Sequence, residues 1–138
     1  MKQRIIIVED ENFIASMMTL ILEKAGFSVE VATDGEEGLQ KIEKTLPDLI
    51  LLDLVLPGIN GFELLEKLKK EKRTKKIPVI IVSNLGTPEE IQKGLKIGAD
   101  AFLTKTHILP KDLVDKVKEI LQQKIKGRIS NNNLKFQI

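Results

Sequence analysis

The sequence predicts an α/β protein in which five β-α units surround a doubly wound parallel sheet. Short apolar runs rich in β-branched residues or leucine recur along the 138 residues. Amphipathic stretches with helical periodicity separate these runs. Three of the runs are almost continuously apolar, as strands buried on both faces are. The five runs are residues 4–8, 28–32, 48–52, 78–82 and 100–104.

The composition of the runs distinguishes central strands from an edge strand. Residues 5–8, 49–52 and 79–82 contain only apolar side chains, which favours the centre of the sheet. Residues 28–32 alternate between polar and apolar side chains, and we therefore expect this strand at an edge.

Capping residues mark the first three helices. Apolar residues recur with helical spacing between the first two strands, and Gly26 stands where a helix C-cap glycine belongs. Asp34 and Asn60 are each followed three residues later by a glutamate, Glu37 and Glu63, which is the spacing of a capping box. We expect the second and third helices to begin at these residues.

The fourth and fifth helices begin with proline signals. Thr87 is the expected N-cap of the fourth helix, with Pro88 at the first helical position and Glu90 completing a capping box. Pro110 opens the fifth helix, which we expect to end at Gly127.

Composition excludes several classes of protein and site. The chain has no cysteine, which excludes disulfides and thiolate chemistry, and its single histidine excludes a multi-histidine zinc site. Every apolar run is far shorter than the ~18 residues that span a bilayer, and we find no signal peptide. We therefore expect a cytoplasmic protein that does not engage a membrane.

The charge of the chain gives little support to a nucleic-acid partner. The net charge is only +2. Residues 67–76 include seven basic residues, but no aromatic residue is interleaved for stacking on bases. A solvated helix end explains the segment; binding to nucleic acid or to an acidic partner is the alternative.

Polar residues follow four of the strands at the edge where ligands bind to parallel sheets. The first strand is followed by Glu9 and Asp10, the third by Asp53, the fourth by Ser83 and the fifth by Lys105. Close carboxylates repel by about 1 to 4 kcal/mol per pair, and one lysine cannot neutralise three. These oxygen ligands suit Mg²⁺. An aspartate beside such an ion is a competent nucleophile toward phosphorus.

With these residues the sequence resembles a response regulator receiver domain of two-component signalling. The matching features are Glu9-Asp10, Asp53 with residues 54–58 and Gly61, Ser83, and Phe102 three residues before Lys105. The resemblance covers residues 3 to about 124. We therefore assign residues 1–127 to a receiver domain and residues 128–138 to a C-terminal tail without a second domain.

The resemblance implies a flavodoxin-like three-layer sandwich with strand order 2-1-3-4-5. It makes Asp53 the acceptor of a phosphoryl group from a phosphohistidine on a sensor histidine kinase or phosphotransfer protein. It implies a signalling protein rather than an enzyme, which takes part in its own phosphotransfer and dephosphorylation. A downstream effector of unknown identity and a weak homodimer are the other implied partners, and no direct nucleic-acid contact is expected.

The resemblance also assigns roles within the site. Glu9, Asp10 and Asp53, with the backbone carbonyl of Val55, would bind Mg²⁺. Ser83 and Lys105 would contact the phosphoryl group. Phe102 would act as an aromatic switch that turns inward as Ser83 is drawn to the phosphoryl group.

Two features of the loops around the site are compared with the family pattern. Thr106 stands where the family usually has a proline after the lysine, often in a cis bond, so the Lys105-Thr106 bond is either trans or strained. The resemblance also implies that the positions two beyond Asp53 and Ser83 flank the phosphoryl group; they are Val55 and Leu85, and neither can orient a water molecule. We expect slow self-dephosphorylation.

The first helix carries a wider apolar stripe than a core contact needs. The expected core-facing residues are Ile14, Met17, Ile21 and Ala25. On a helical wheel Phe13 and Leu20 lie about 100° or more to one side and Leu22 about 80° to the other. The stripe is either a wide core contact or a docking surface for the phosphodonor.

Two other function classes remain open at this point. One is an interaction module that works without phosphorylation. The other is a small-ligand-binding flavodoxin-like domain, which the absence of a glycine-rich phosphate loop disfavours.

Overall fold

Strands and helices alternate along the chain in five β-α units. The computed structural model describes residues 2–84 and 86–130. The strands are β1 (Arg4–Val8), β2 (Ser28–Ala32), β3 (Leu49–Leu52), β4 (Val79–Ser83) and β5 (Ala101–Thr104). The helices are α1 (Asn12–Lys24), α2 (Gly35–Thr45), α3 (Gly61–Lys70), α4 (Pro88–Ile97) and α5 (Pro110–Ser130). A short 3-10 turn, Lys105–His107, joins β5 to α5.

The five strands form one parallel sheet in the order β2-β1-β3-β4-β5. The flavodoxin-like fold and the strand order are therefore confirmed. The apolar runs of β1, β3 and β4 lie in the centre, and the alternating β2 lies at an edge, as the sequence predicts. The strand order reverses between β1 and β3, which places the first and third strand ends side by side.

Two apolar clusters cover the two faces of the sheet and make three layers. Side chains from α1 and α5 pack on one face, and side chains from α2, α3 and α4 pack on the other. Successive residues of β1 alternate between them: Ile5 and Ile7 belong to the first cluster, Ile6 and Val8 to the second.

The predicted caps of α2, α3 and α4 are confirmed. The side chain of each N-cap accepts a hydrogen bond from the backbone N–H three residues later. The donor-to-acceptor distances are 2.8 Å at Asp34, 3.0 Å at Asn60 and 3.2 Å at Thr87.

Helix α5 does not end at Gly127 as the sequence predicts, but continues to Ser130. A glycine inside a helix costs about 1 kcal/mol relative to alanine. That is too little to stop a helix whose preceding turns are anchored in the core by Val117, Ile120 and Leu121. Residues 128–130 of the expected tail are thus helical, and residues 131–138 lie outside the described residues.

The prediction of which α1 residues face the core was partly wrong. Ala15, Met18 and Leu22 are the buried residues, whereas Met17 is 41% exposed. The helix packs against both β2 and α5. These two neighbours cover the side of the helix that carries Leu22. Of the two interpretations left open for the wide stripe, each applies to one margin: Phe13 is 78% exposed, whereas Leu22 is buried in the core.

The lysine-rich segment lies at the edge of the sheet opposite the carboxyl ends of the strands, where α3 ends and β4 begins. Lys69 donates hydrogen bonds to the carbonyl oxygens of Ile77 (2.8 Å) and Lys75 (3.2 Å). Burial lowers the pKa of Lys69 below its ordinary value. Arg73 donates to the carbonyl oxygen of Glu43 at 3.1 Å. These two cations therefore stabilise the loop.

The backbone after β5 also answers the question raised by Thr106. Every peptide bond that the structure describes is trans, including Lys105-Thr106.

None of the helices in the described ranges is long and apolar enough to cross a membrane.

Candidate functional site

Glu9 and Asp53 lie side by side at the carboxyl edge of the sheet. Val8 pairs with Leu52 in the register of β1 and β3, so the next residue of each strand comes to the same position. The amide of Glu9 donates to the carbonyl of Ala32 (2.9 Å), and the amide of Asp53 donates to that of Val8 (3.0 Å). The hydrogen bonding of the sheet thus continues one residue past both strands. It fixes the backbone from which these two side chains project.

Three carboxylates converge at this edge. One oxygen atom from each of Glu9, Asp10 and Asp53 lies within 4.8 Å of the other two. Glu9 and Asp53 are buried, at 1% and 4% exposure, whereas Asp10 is exposed to solvent. The predicted acidic residues are therefore together, with one of them open to the outside.

Lys105 enters the cluster from the turn after β5. Its Nζ lies 2.6 Å from Oε1 of Glu9 and 3.0 Å from Oδ2 of Asp53. Burial acts to lower the pKa of Lys105, but its contacts with Glu9, Asp53 and Glu11 outweigh burial and raise the pKa above its ordinary value. Lys105 therefore remains charged and neutralises part of the cluster.

Glu9 has the most perturbed carboxyl group of the site. Burial raises its pKa to about 7, although Lys105 and the backbone N–H of Glu11 oppose the shift, and the charge of Asp53 adds to it. Close as it is, the contact of Glu9 Oε1 with Lys105 lacks hydrogen-bond geometry, which leaves that buried oxygen without a directed donor. The excess of carboxylates and this under-coordinated oxygen fit a hard cation.

Val55 lies at the mouth of the site. Its backbone N–H points toward Oδ1 of Asp53 at 3.4 Å, and the residue is 60% exposed. Leu85, the other residue expected beside the phosphoryl group, lies outside the described residues.

Ser83 and Phe102 lie on the neighbouring strands β4 and β5. Ser83 is buried at the end of β4 and pairs in register with Thr104, the residue before Lys105. Phe102 pairs with Ile81 and packs, half-buried, against the cluster on the α3 and α4 face. The structure thus places Ser83 at a strand end beside the turn of Lys105 and Phe102 two pairs further back in the sheet, and their switch roles stay predictions.

Glu11 is a residue of the site that the sequence reasoning missed. Its Oε1 lies 3.1 Å from Lys105 Nζ, and its backbone N–H donates to Oε2 of Glu9 at 3.1 Å. The available signal was that Glu11 is the third acidic residue of an unbroken run after β1.

Comparison with known proteins agrees with this geometry. The family model described as "Response regulator receiver domain" matches residues 5–118. A solved receiver domain protein from Methanospirillum hungatei, described as CheY-like, is 38% identical and superimposes with a TM-score of 0.85. That match covers 91% of this chain and 98% of the solved chain.

Curated relatives are longer than this chain. The phosphate regulon transcriptional regulatory protein PhoB of Escherichia coli is 38% identical over 123 residues, which is 89% of this chain and 53% of PhoB. The DNA-binding dual master transcriptional regulator RpaA of Synechocystis is 39% identical over 102 residues, covering 74% of this chain and 42% of RpaA. The chain thus spans about half the length of these relatives.

Proposed function

The chain belongs to the response regulator receiver domain family of two-component signalling, and from this premise we propose that Asp53 accepts a phosphoryl group from a phosphohistidine donor in a Mg²⁺-dependent reaction. One observation carries the proposal. Lys105 Nζ contacts both Asp53 (3.0 Å) and Glu9 (2.6 Å), while Asp10 completes the acidic cluster from its exposed side. Asp53 is thus buried in contact with a cation, and the exposed Asp10 lies next to it.

The residues of the site have separate roles in phosphotransfer. A carboxylate oxygen of Asp53 forms the new O–P bond while the P–N bond of the donor breaks and its electron pair returns to the imidazole. Lys105 stays beside the reacting carboxylate and balances the charge on the phosphoryl oxygens. Glu9, Asp10, Asp53 and the Val55 carbonyl would hold Mg²⁺, which supplies further positive charge to the phosphoryl group when bound.

Phosphorylation would then change partner preference through β4 and β5. Contacts of the phosphoryl group with Ser83 and Lys105 favour one of two packings of Phe102 and of the loop after β4. Phe102 is half-buried, so an inward movement would remove more of its apolar surface from water. The surface of α4, β5 and α5 is the expected output surface for a downstream effector.

The exposed margin of α1 is suited to docking of the donor protein. Phe13, Met17 and Leu20 are 78%, 41% and 56% exposed on the helix that directly follows Glu9 and Asp10. A protein that brings phosphohistidine to Asp53 must approach beside this helix. The margin is therefore the proposed kinase or phosphotransfer contact.

A direct nucleic-acid contact is not part of the proposal. RpaA is named as DNA-binding, but this chain matches only 42% of its length. The basic segment 67–76 lies at the edge opposite Asp53, and two of its cations are engaged with backbone carbonyls. We therefore propose a cytoplasmic signalling protein whose partners are proteins.

Substitution of the acceptor tests the function. We expect Asp53→Asn to abolish labelling by acetyl phosphate in the presence of Mg²⁺, measured by intact mass. Asp115→Asn, which removes an exposed carboxylate on α5, should label as the wild type does. Persistent Mg²⁺-dependent labelling of Asp53→Asn would contradict the assignment. An unlabelled wild type that still binds a partner would favour the phosphorylation-independent module, and one that binds a small ligand would favour the flavodoxin-like domain.

A further inference from the structure

Lys105 has three carboxylate partners: its ammonium donates hydrogen bonds to Asp53 and Glu11 and forms an ion pair with Glu9. Its Nζ lies 2.6 Å from Glu9, 3.0 Å from Asp53 and 3.1 Å from Glu11. Two of these acids belong to the cluster that would hold Mg²⁺, and Glu11 does not. Lys105 is thus shared between the cation site and a carboxylate outside it.

Glu11 is the one partner that solvent can replace. Its side chain is 55% exposed, whereas those of Glu9 and Asp53 are 1% and 5% exposed. Its backbone is nevertheless fixed on both sides, because its N–H donates to Glu9 Oε2 (3.1 Å) and its carbonyl accepts from Ala15 N (3.0 Å). The fold therefore sets the reach of this side chain to Lys105.

A cation that binds Glu9 and Asp53 must compete with Lys105 for the same carboxylates. We propose that Glu11 is a positioning residue that holds Lys105 on the solvent side of the cluster and thereby raises the affinity for Mg²⁺. With Glu11 in place, Lys105 keeps one carboxylate partner when Mg²⁺ replaces it at the carboxylate oxygens of Glu9 and Asp53. Without Glu11, Lys105 relies on those two acids alone and becomes a stronger competitor. This inference rests on the proposed function.

Two variants separate the contact from the charge. Glu11→Gln removes the charge but keeps the reach and one oxygen acceptor, and Glu11→Asp keeps the charge but shortens the reach by one methylene. Glu36→Gln is the matched control, because Glu36 is an exposed acid beside Gly58 at the same edge of the sheet. Within residues 2–84 and 86–130, Glu36 is not among the ion-pair partners of Lys105.

The experiment is a titration with Mg²⁺ alone, followed by the backbone amide chemical shifts of Asp10, Asp53 and Val55. We expect Glu11→Gln and Glu11→Asp each to weaken Mg²⁺ binding by about two- to fivefold, the size of effect that a partly exposed ion pair gives. Glu36→Gln should change the affinity less than about twofold, as a screened distant charge does. Wild-type affinity in Glu11→Asp, or an equal loss in Glu36→Gln, would overturn the proposal.

A double-mutant cycle shows whether Glu11 acts through Lys105. In a Lys105→Met background we expect Glu11→Gln to have no more effect than Glu36→Gln has. An undiminished effect of Glu11→Gln there would overturn the positioning role. Should Lys105→Met fail to fold, the Mg²⁺ affinities of Glu11→Gln, Glu11→Asp and Glu36→Gln still test the proposal.

Acetyl phosphate labelling of the wild type separates this inference from the proposed function. A wild type that is labelled at Asp53 but whose Mg²⁺ affinity is insensitive to Glu11 overturns the inference alone. A wild type that is not labelled overturns the proposed function. A wild type whose amide shifts do not respond to Mg²⁺ contradicts both.

Discussion

Val55 illustrates how one side chain beside Asp53 is expected to set the lifetime of the phosphoryl group. It lies two residues beyond the acceptor and is 60% exposed at the mouth of the site. Its apolar side chain has no group that could orient an attacking water molecule. We therefore expect access of water to Asp53 to depend on a residue whose side chain is not part of the acidic cluster.

We expect Val55→Asn to speed loss of the phosphoryl group by about three- to tenfold, well below the roughly 10²–10⁴-fold of a true general base. The amide can hold a water molecule near the phosphorus atom, whereas the valine cannot. The decay of the phosphorylated protein is measured by intact mass after removal of the donor. Val55→Leu, which stays apolar, serves as the control, and an unchanged decay rate in Val55→Asn would disprove the idea.

The acidic residues of the site could be predicted from the sequence because topology alone determines where they go. Glu9, Asp10 and Asp53 directly follow parallel strands, and adjacent strand ends must meet. The contact of Glu11 with Lys105 could not be predicted in this way. It depends on the distance between the loops after β1 and β5, which are far apart in sequence.

The first turn of α3 lies directly against the loop that carries the acceptor. Gly61, its first residue, donates its N–H to the carbonyl of Leu54 at 2.9 Å. A Cβ atom at Gly61 would overlap the carbonyl oxygen of Asp53 and lie 2.5 Å from the Cα of Leu54. The start of α3 therefore needs a residue without a side chain.

We expect Gly61→Ala to lower the free energy of unfolding by about 1–3 kcal/mol, as overpacking does, and to slow phosphorylation by moving Asp53. Gly94→Ala in α4 is the control, because its Cβ would lie 2.6 Å from Ile81 Cδ1, a terminal methyl group that can rotate away. Urea unfolding followed by circular dichroism measures both variants. Equal losses in the two variants would argue against the backbone contact as the cause.

Sequence reasoning succeeded for elements whose signals are local. The caps at Asp34, Asn60 and Thr87 depend on residues three positions apart, and all three were correct. The inward face of α1 and the end of α5 depend on packing with distant parts of the chain. A helical wheel shows how wide an apolar stripe is, but not which neighbour will cover it.

For the molecule as a whole, cation binding and folding stability are linked. A ligand that binds only the folded state at ten times its Kd adds about 1.4 kcal/mol to the free energy of unfolding. For a domain of this size that corresponds to a rise in Tm of about 3–5 °C. The acidic cluster should make the stability of this protein respond to Mg²⁺.

We expect Mg²⁺ at ten times its Kd to raise the Tm of the wild type by this amount and to have little effect on Asp10→Asn. Asp10 is exposed, so its substitution should remove a carboxylate of the cation site without disturbing the core. Scanning calorimetry at constant ionic strength, adjusted with KCl, measures the shift. The same rise in Asp10→Asn would show that the stabilisation comes from another site or from salt.

The burial of the central strands on both faces has a consequence for solvent exchange. Residues 5–8, 49–52 and 79–83 are all buried between the two apolar clusters. Their amide hydrogens should be replaced by deuterium only when the whole domain opens, whereas amides in the surrounding loops should be replaced during small local openings. Loops around Asp53 and Lys105 can therefore rearrange many times within the interval between two unfolding events.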